Sequence, residues 1–519
     1  MSDGKRSLDV LFVNPGSHRR IYQNLGADLA AKEPPIWAAQ LAMHARLRGR
    51  SVSILDANAL DLSPAEIGAA VAERAPKLTV VVVYGHNPNA STFAMPGARD
   101  AIEGIRAADP EGRVLLLGGH VAALPERTLR EEDVDFVCSG EGPYTIDALV
   151  AALAADRERP ELAKVPGLLW RDGEQIVRNT AAPLVRDLAG EMPGMAWDLL
   201  DMTRYRAHNW HAFGRPSREP YAALYTTLGC PFQCTFCCIQ APFKEGEAAA
   251  GLDNTRNSYR KFDPDRVVAD ITRLVVDHGV QNIKIADELF LLDRAHVSRI
   301  CDGLTALDAD LNIWAYARVD TCRDGELLAK MRAAGVRWLA IGIESASEKV
   351  RAGVDKGYKP AAMHKAISLV RAAGIAVMGN YIFGLPEDDH ESMRTTLDFA
   401  KELNTEFANF FSAMAYPGSQ LYRDAVANGW PLPASWDGYS QHSRSCLPLP
   451  TRHISGAEVL AFRDAAFREY FDRPAYRAMA ERAFGPSVLP ELARMLGQPL
   501  AREHAAVIVP TPDPAPSPA

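Results

Sequence analysis

Cys230, Cys234 and Cys237 stand at the spacing Cys-x3-Cys-x2-Cys in one short loop, Cys230-Pro-Phe-Gln-Cys-Thr-Phe-Cys237. Three thiolates so placed can wrap one corner of a cubane iron-sulfur cluster, whose full ligation takes four cysteines. One iron is then left without a protein ligand. An open position on a redox cluster can hold a substrate or cofactor, which a purely electron-carrying site has little use for. Cys238 is expected to be a spectator, because adjacent side chains on so short a loop point in different directions. A structural zinc site would need a fourth ligand, and no nearby Cys-x-x-Cys or His pair offers one.

The run in front of the loop, Tyr221-Ala-Ala-Leu-Tyr-Thr-Thr-Leu228, is aromatic and β-branched and ends at Gly229, so it reads as a buried strand. Its carboxyl end is where parallel α/β folds place their chemistry. Further strand runs follow at 280–285, 311–316, 338–343, 376–383 and 408–413, alternating with helical periodicity at 263–278, 294–307, 324–334, 360–373 and 389–403. About six βα units make a partial barrel, with loops at the strand ends forming its active face. Asp287, Glu288, Arg318, Glu344 and Glu387 stand at those ends. A carboxylate there can accept from an ammonium or from ribose hydroxyls, and an arginine can fork onto a carboxylate.

The first part of the chain has the same rhythm. Apolar runs at 8–13, 52–55, 78–83, 114–117 and 134–137 alternate with helix-like stretches at 35–48, 64–75 and around 99–107. That pattern predicts an open, largely parallel sheet with helices on both faces. Its strand ends carry Asn14-Pro-Gly16, Tyr84-Gly-His86, Gly118-Gly119-His120 and Ser139-Gly140-Glu141-Gly142. Small residues there let a large flat ligand approach the backbone.

The triple-cysteine loop, with Phe236 just before its third cysteine, resembles the radical S-adenosylmethionine (radical SAM) superfamily. Upstream, Gly118-Gly-His-Val-Ala-Ala-Leu-Pro-Glu126 together with Cys138-Ser-Gly-Glu-Gly-Pro143 resembles the cobalamin-binding domain of one branch of those enzymes. The resulting expectation is α/β throughout. Residues 1–153 form a Rossmann-like cobalamin-binding domain, 154–220 a connector with a small hairpin, and 221–425 a partial (β/α)6 radical SAM barrel. A helical region at 426–505 and a proline-rich tail at 506–519 follow.

The resemblance implies three cofactors: a 4Fe-4S cluster on Cys230, Cys234 and Cys237, S-adenosylmethionine, and cobalamin. By the same resemblance Asp287 and Glu288 occupy the position of the amino-group motif and Glu344 the ribose position, with Phe236 beside the cluster. Ile382, Gly384 and Glu387 fall on the motif near the adenine, with Asn380 where the family has glycine. Arg318 can hold the methionyl carboxylate or close a salt bridge with Asp320. Tyr84, Gly118, Gly119, His120, Gly140 and Glu141 are the expected cobalamin contacts. The Asp-x-His-x-x-Gly motif of histidine-ligated cobalamin proteins is absent, since the first strand is followed by Asn14-Pro-Gly-Ser-His18. His18, His86 and His120 are candidate contacts, although a loop histidine is more often a hydrogen-bonded group than a metal ligand.

The activity so implied is reductive cleavage of S-adenosylmethionine to a 5'-deoxyadenosyl radical, with C-methylation of an unactivated carbon as outcome. The resemblance also reaches, across nearly the whole chain, the branch of the anaerobic magnesium-protoporphyrin ester cyclase. A non-methylating radical oxidoreductase or cyclase is therefore the alternative, and a non-catalytic iron-sulfur or zinc protein the third reading.

Bulk properties narrow the partners. Of 519 residues 47% are hydrophobic and 24% charged, and 57 basic against 65 acidic residues give a net charge of -8, with no pull toward nucleic acid. No uninterrupted apolar stretch reaches about 18 residues, so no membrane span is expected and the cytoplasm is the default. Cysteines outside the loop are scattered, which suits a reducing compartment. A small-molecule substrate and an electron donor such as flavodoxin or ferredoxin complete the expected partners. The segment Trp436-Asp-Gly-Tyr-Ser-Gln-His442 is an aromatic-polar loop suited to covering a substrate pocket.

Overall fold

The computed structural model describes residues 8–504 apart from 17–20, 86, 253, 254 and 256. His18, His86 and the tail at 506–519 lie outside the described residues.

The apolar runs of the first part pair into one sheet. Its strands are β1 (Val10–Asn14), β2 (Val52–Asp56), β3 (Leu78–Val83), β4 (Val114–Gly118), β5 (Phe136–Cys138), β6 (Leu168–Asp172) and β7 (Gln175–Arg178), in the order β2-β1-β3-β4-β5-β6-β7. The first five are parallel. All six residues of β3 are buried, as a strand covered on both faces requires. Strand order reverses between β1 and β3, and in such sheets ligands bind in the crevice beyond that reversal. The hairpin β6-β7, expected in the connector, instead extends the sheet, because Leu168 and Leu169 bury themselves on the exposed edge of β5.

The second sheet has six parallel strands in the order β15-β14-β13-β12-β11-β8, the partial barrel. They are β8 (Tyr221–Leu224), β11 (Asn282–Ile285), β12 (Asn312–Arg318), β13 (Val336–Glu344), β14 (Ala376–Phe383) and β15 (Phe407–Ser412). Four of the intervening helices begin at an aspartate, Asp263, Asp293, Asp324 or Asp389, whose carboxylate accepts from a first-turn N–H. Trp210 of the connector plugs the end of the barrel away from the cysteines. Its ring centroid lies 5.3 Å from those of Trp314 and Trp338 and 5.6 Å from that of Phe407.

One expected strand is two. The run 221–228 breaks after β8 and resumes as β9 (Thr227–Leu228), which pairs with β10 (Arg260–Lys261) outside the barrel. Beyond the barrel, Gly456–Phe471 and Pro474–Phe484 are helical as expected. A further helix, Val488–Leu496, buries Val488, Leu492 and Met495 along one face.

Two buried ion pairs tie the first sheet's layer to the barrel and to β10 beside it. Glu33 meets the Lys284 ammonium at 3.1 Å and accepts from the Tyr221 hydroxyl at 3.1 Å. Glu141 receives both arms of Arg260, at 3.1 and 2.8 Å, and the Val185 amide at 2.6 Å. A buried charge stripped of its partner is far costlier than a pair replaced by apolar groups. Glu33→Ala should therefore lower stability by about 3–5 kcal/mol in denaturant titrations, and Glu33→Met with Lys284→Met by much less.

Candidate functional site

The cysteine loop is aimed by Asp287. This buried carboxylate at the end of β11 accepts from the Thr226 amide at 2.6 Å, the Thr227 amide at 3.1 Å and the Thr226 hydroxyl. Those bonds draw the chain out of β8 and into β9. Gly229 then turns with φ +84°, and a Cβ there would lie 2.3 Å from the Ser258 carbonyl oxygen. Gln240 accepts from the Cys230 amide at 2.9 Å, while Asn257 donates to the carbonyls of Cys230 at 3.0 Å and Phe232 at 2.7 Å. Glu247, itself buried, accepts from the Ser258 amide at 2.6 Å and completes the support. None of these three polar side chains stood out in the sequence, because their bonds run to backbone atoms that spacing alone does not bring near.

Cys230, Cys234 and Cys237 are partly exposed, whereas Cys238 is buried with its thiol 3.2 Å from Asn89 Oδ1, the expected spectator. Burial pushes the Cys230 thiol up to about 11 and raises the Cys237 thiol well above its ordinary value. Without a bound cation both keep their protons at neutral pH; a coordinating metal displaces such protons. Among the described residues no three His, Cys, Asp or Glu side chains close on one point, the three loop thiols included. Cys301, Cys322 and Cys446 are buried core thiols.

Polar groups from the strand ends gather around the loop. At the end of β12 the Arg318 guanidinium pairs with Asp320 at 3.0 Å, reaches Cys234 Sγ at 3.8 Å and stacks 3.7 Å over the Phe232 ring. The anticipated salt bridge thus forms without withdrawing the arginine from the loop. Glu344 ends β13 in the left-handed region, φ +64°, uncommon for a residue with a side chain. It forms a buried ion pair with Lys356, whose ammonium also lies 5.8 Å from the centre of the Phe236 ring. Phe236 and Ile382 pack on one apolar cluster of Val350, Val354, Leu385 and Ala413. Glu288 lines a small space with Gly229 and Cys238, and burial raises its carboxyl to about 7 although Lys284 pulls it down.

Several expected contacts have other work. Asp287 is taken up by Thr226 and Thr227. Gly384, φ +82°, is required because a Cβ would lie 2.5 Å from Val459, and its amide donates to Asp388 at 3.0 Å. Burial raises the Asp388 carboxyl to about 6 in spite of its hydrogen bonds from Ser392, Leu385 and Gly384. Glu387 is held by Arg452 at 2.7 Å and Lys349 at 3.3 Å. Glu141 is paired with Arg260, and a Cβ on Gly118 would strike the Val83 carbonyl at 2.1 Å. His120 is a core histidine: its Nδ1 lies 3.3 Å from the Thr92 hydroxyl, its ring meets Trp436 edge-on at 4.4 Å, and burial pushes it down to about 3.

What remains on that side lies beside open space. Tyr84 stacks on Trp37 at 4.1 Å and its buried hydroxyl has no partner among the described residues. Gly140 has no atom within 4 Å of where a Cβ would stand, and Gly119 only ordinary contact with Ser91 and Pro88. Three cavities meet here. A crevice of about 80 Å³ at the β1/β3 reversal is lined by Asn14, Trp37 and Tyr84. A space of about 30 Å³ joins Tyr84 and Gly119 to Gly229 and Glu288. The largest, about 390 Å³, lies between barrel, first sheet and C-terminal region. Trp37 and Tyr84 line the first two, Tyr22, Phe93 and His208 the first and third, and Asn87 the second and third. Ser440, Gln441 and His442 wall the largest cavity, in keeping with a covering loop, and so do His208 and Trp210 of the connector.

Comparison with known proteins follows this division. Residues 224–400 match the radical SAM superfamily and residues 23–150 the B12 binding domain. An uncharacterized methyltransferase of Pyrococcus horikoshii is 26% identical over 468 residues, 90% of this chain and 93% of the relative. The anaerobic magnesium-protoporphyrin IX monomethyl ester cyclase of Cereibacter sphaeroides is 27% identical over 425 residues, and the match spans 80% of this chain but 63% of that enzyme. In fold, the radical S-adenosylmethionine methyltransferase TsrM of Kitasatospora setae, solved with cobalamin and a [4Fe-4S] cluster, superposes with a TM-score of 0.64 over 90% of both chains at 20% identity. No helix among the described residues is long and apolar enough to cross a membrane.

Gln240→Leu or Asn257→Ala removes a partner of the loop backbone, at about 1–3 kcal/mol each. Iron retained after anaerobic gel filtration should fall to about half or less of the unsubstituted protein's, with unchanged far-ultraviolet circular dichroism.

Proposed function

Because this chain belongs to the cobalamin-binding radical SAM family, we propose that it is a C-methyltransferase acting on an unactivated carbon of a small molecule. The family's cofactors are a 4Fe-4S cluster, S-adenosylmethionine and cobalamin. When bound, they supply a 5'-deoxyadenosyl radical that removes hydrogen and a methyl carrier that can deliver to carbon.

This chain's residues divide the remaining work. Cys230, Cys234 and Cys237 would hold the cluster. Glu288 would accept from the methionyl ammonium, and Arg318, steadied by Asp320, would face the carboxylate. Phe236, Ile382 and Leu385 would form an apolar wall for the adenine, with the Glu344–Lys356 pair beside the ribose. Tyr84, Gly119 and Gly140 would receive the corrin edge. The barrel and the C-terminal region would exclude water from the space between. A low-potential donor such as flavodoxin or ferredoxin would supply the electron.

The observation that carries this reading is the meeting of Tyr84 and Gly119, at strand ends of the first sheet, with Gly229 and Glu288 beside the cluster loop in one small space. Both cofactors would thereby open on one substrate cavity. A non-methylating oxidoreductase or cyclase is the second reading, favoured by the cyclase relative. Incubating the reduced, reconstituted enzyme with methyl-labelled S-adenosylmethionine and a small-molecule panel separates them. Label on carbon in the product is expected; modified product and 5'-deoxyadenosine without incorporated label would favour the second reading.

A further inference from the structure

An amide pair borders the largest cavity: Asn409 lines it, and Asn380 stands on the same face of β14 as Met378, which lines it too. Asn380 on β14 and Asn409 on β15 are register partners. Asn409 Nδ2 donates to Asn380 Oδ1 at 3.1 Å and to Met378 Sδ at 3.2 Å, which uses both of its N–H groups. Asn409 Oδ1 and Asn380 Nδ2 have no partner among the described residues. Exchanging oxygen and nitrogen in both amides leaves the same remainder, one acceptor beside one donor. Asn409 shares its face of β15 with Phe407 and lines the cavity. Asn380 lies two residues before Ile382, hence about 7 Å deeper in the barrel than the proposed adenine wall.

The rest of the cavity says what surrounds that edge. Trp314, Tyr316, Phe411 and Phe467 supply aromatic faces. The charges in its wall are paired within the chain, apart from Arg468. Lys284 is paired with Glu33, and Asp464 with Arg463 at 2.9 Å and Arg502 at 2.8 Å. Arg468, exposed at the rim, donates to the Leu496 carbonyl at 3.4 Å. Asn209, also in the wall and buried, has an amide nitrogen without a partner among the described residues. Unmet neutral donors and acceptors in an aromatic chamber select a ligand that satisfies them and penalise one that does not.

We propose that Asn380 and Asn409 are specificity-determining residues, and that the substrate is an uncharged, largely aromatic molecule presenting a donor and an acceptor side by side, as a lactam or cis-amide does. This rests on the reading above that the cavity takes the substrate.

Equilibrium dialysis of the reconstituted holoprotein against three probes tests it: 2-quinolone, 2-methoxyquinoline, which lacks the donor, and quinoline-2-carboxylate, an anion. The lactam should bind about tenfold or more tightly than either other probe, and Asn409→Leu and Asn380→Gly should each abolish the difference while iron content stays unchanged. Should one variant lose iron, the other carries the comparison. Equal binding of the three probes, preference for the carboxylate, or discrimination surviving substitution would overturn the proposal. Formation of 5'-deoxyadenosine, measured without any probe, reports separately on the enzymatic reading. Its absence from the unsubstituted protein would count against that reading and leave the binding comparison intact.

Discussion

A carboxylate in the wrong solvent organises the site. Asp287 is fully buried, and desolvation raises its carboxyl to about 6 against the hydrogen bonds from Thr226 and Thr227. Those bonds pull the chain off β8 just before the cysteines, so that β9 pairs with β10 and the loop lies across the barrel mouth. Burying an ionisable group is unfavourable unless its bonds compensate, and here two backbone amides and a hydroxyl do so. The next residue, Glu288, is thereby presented to the loop.

A second constraint sets the distance between the two layers. The Glu33–Lys284 and Glu141–Arg260 pairs run from the first sheet's side to the barrel and to β10 beside it, and neither pair tolerates separation in a dry interior. The C-terminal segment adds a strap across the largest cavity. Ala501 exchanges two hydrogen bonds with the Gln23 side chain, at 3.1 and 3.3 Å, and Arg502 binds Asp464 and the carbonyls of Gln441 and Ser443. The space between the layers is therefore walled by the first sheet's side, the barrel and the C-terminal region, and the small cavities adjoin it.

Much of this was legible in the sequence for a simple reason: buried parallel strands read as unbroken apolar runs, and three thiols in one loop announce themselves by spacing. β3 and β14 coincide with their apolar runs, and Cys230, Cys234 and Cys237 all lie partly exposed on the one loop. The strand break at Tyr225 was hidden because its cause, Asp287, lies some sixty residues away. Glu141, Gly384 and Glu387 look like ligand contacts when only their strand-end position is known; Arg260, Val459 and Arg452, which occupy them, become visible only after folding. His120 sits in a loop by sequence and in a core by packing, since Trp436 arrives from the far C-terminal region. The helix Val488–Leu496 was masked by Pro490, which its first turn tolerates.

Cys230, Cys234 and Cys237 are proposed to hold the iron-sulfur cluster that cleavage of S-adenosylmethionine would need. Replacing Cys230, Cys234 and Cys237 one at a time with alanine, reconstituting anaerobically and measuring both iron and 5'-deoxyadenosine under reduction tests it most directly. Each substitution should cost the protein its cluster and all cleavage, whereas Cys238→Ala should leave both in place. Full iron content and undiminished 5'-deoxyadenosine in any of the three variants would contradict it.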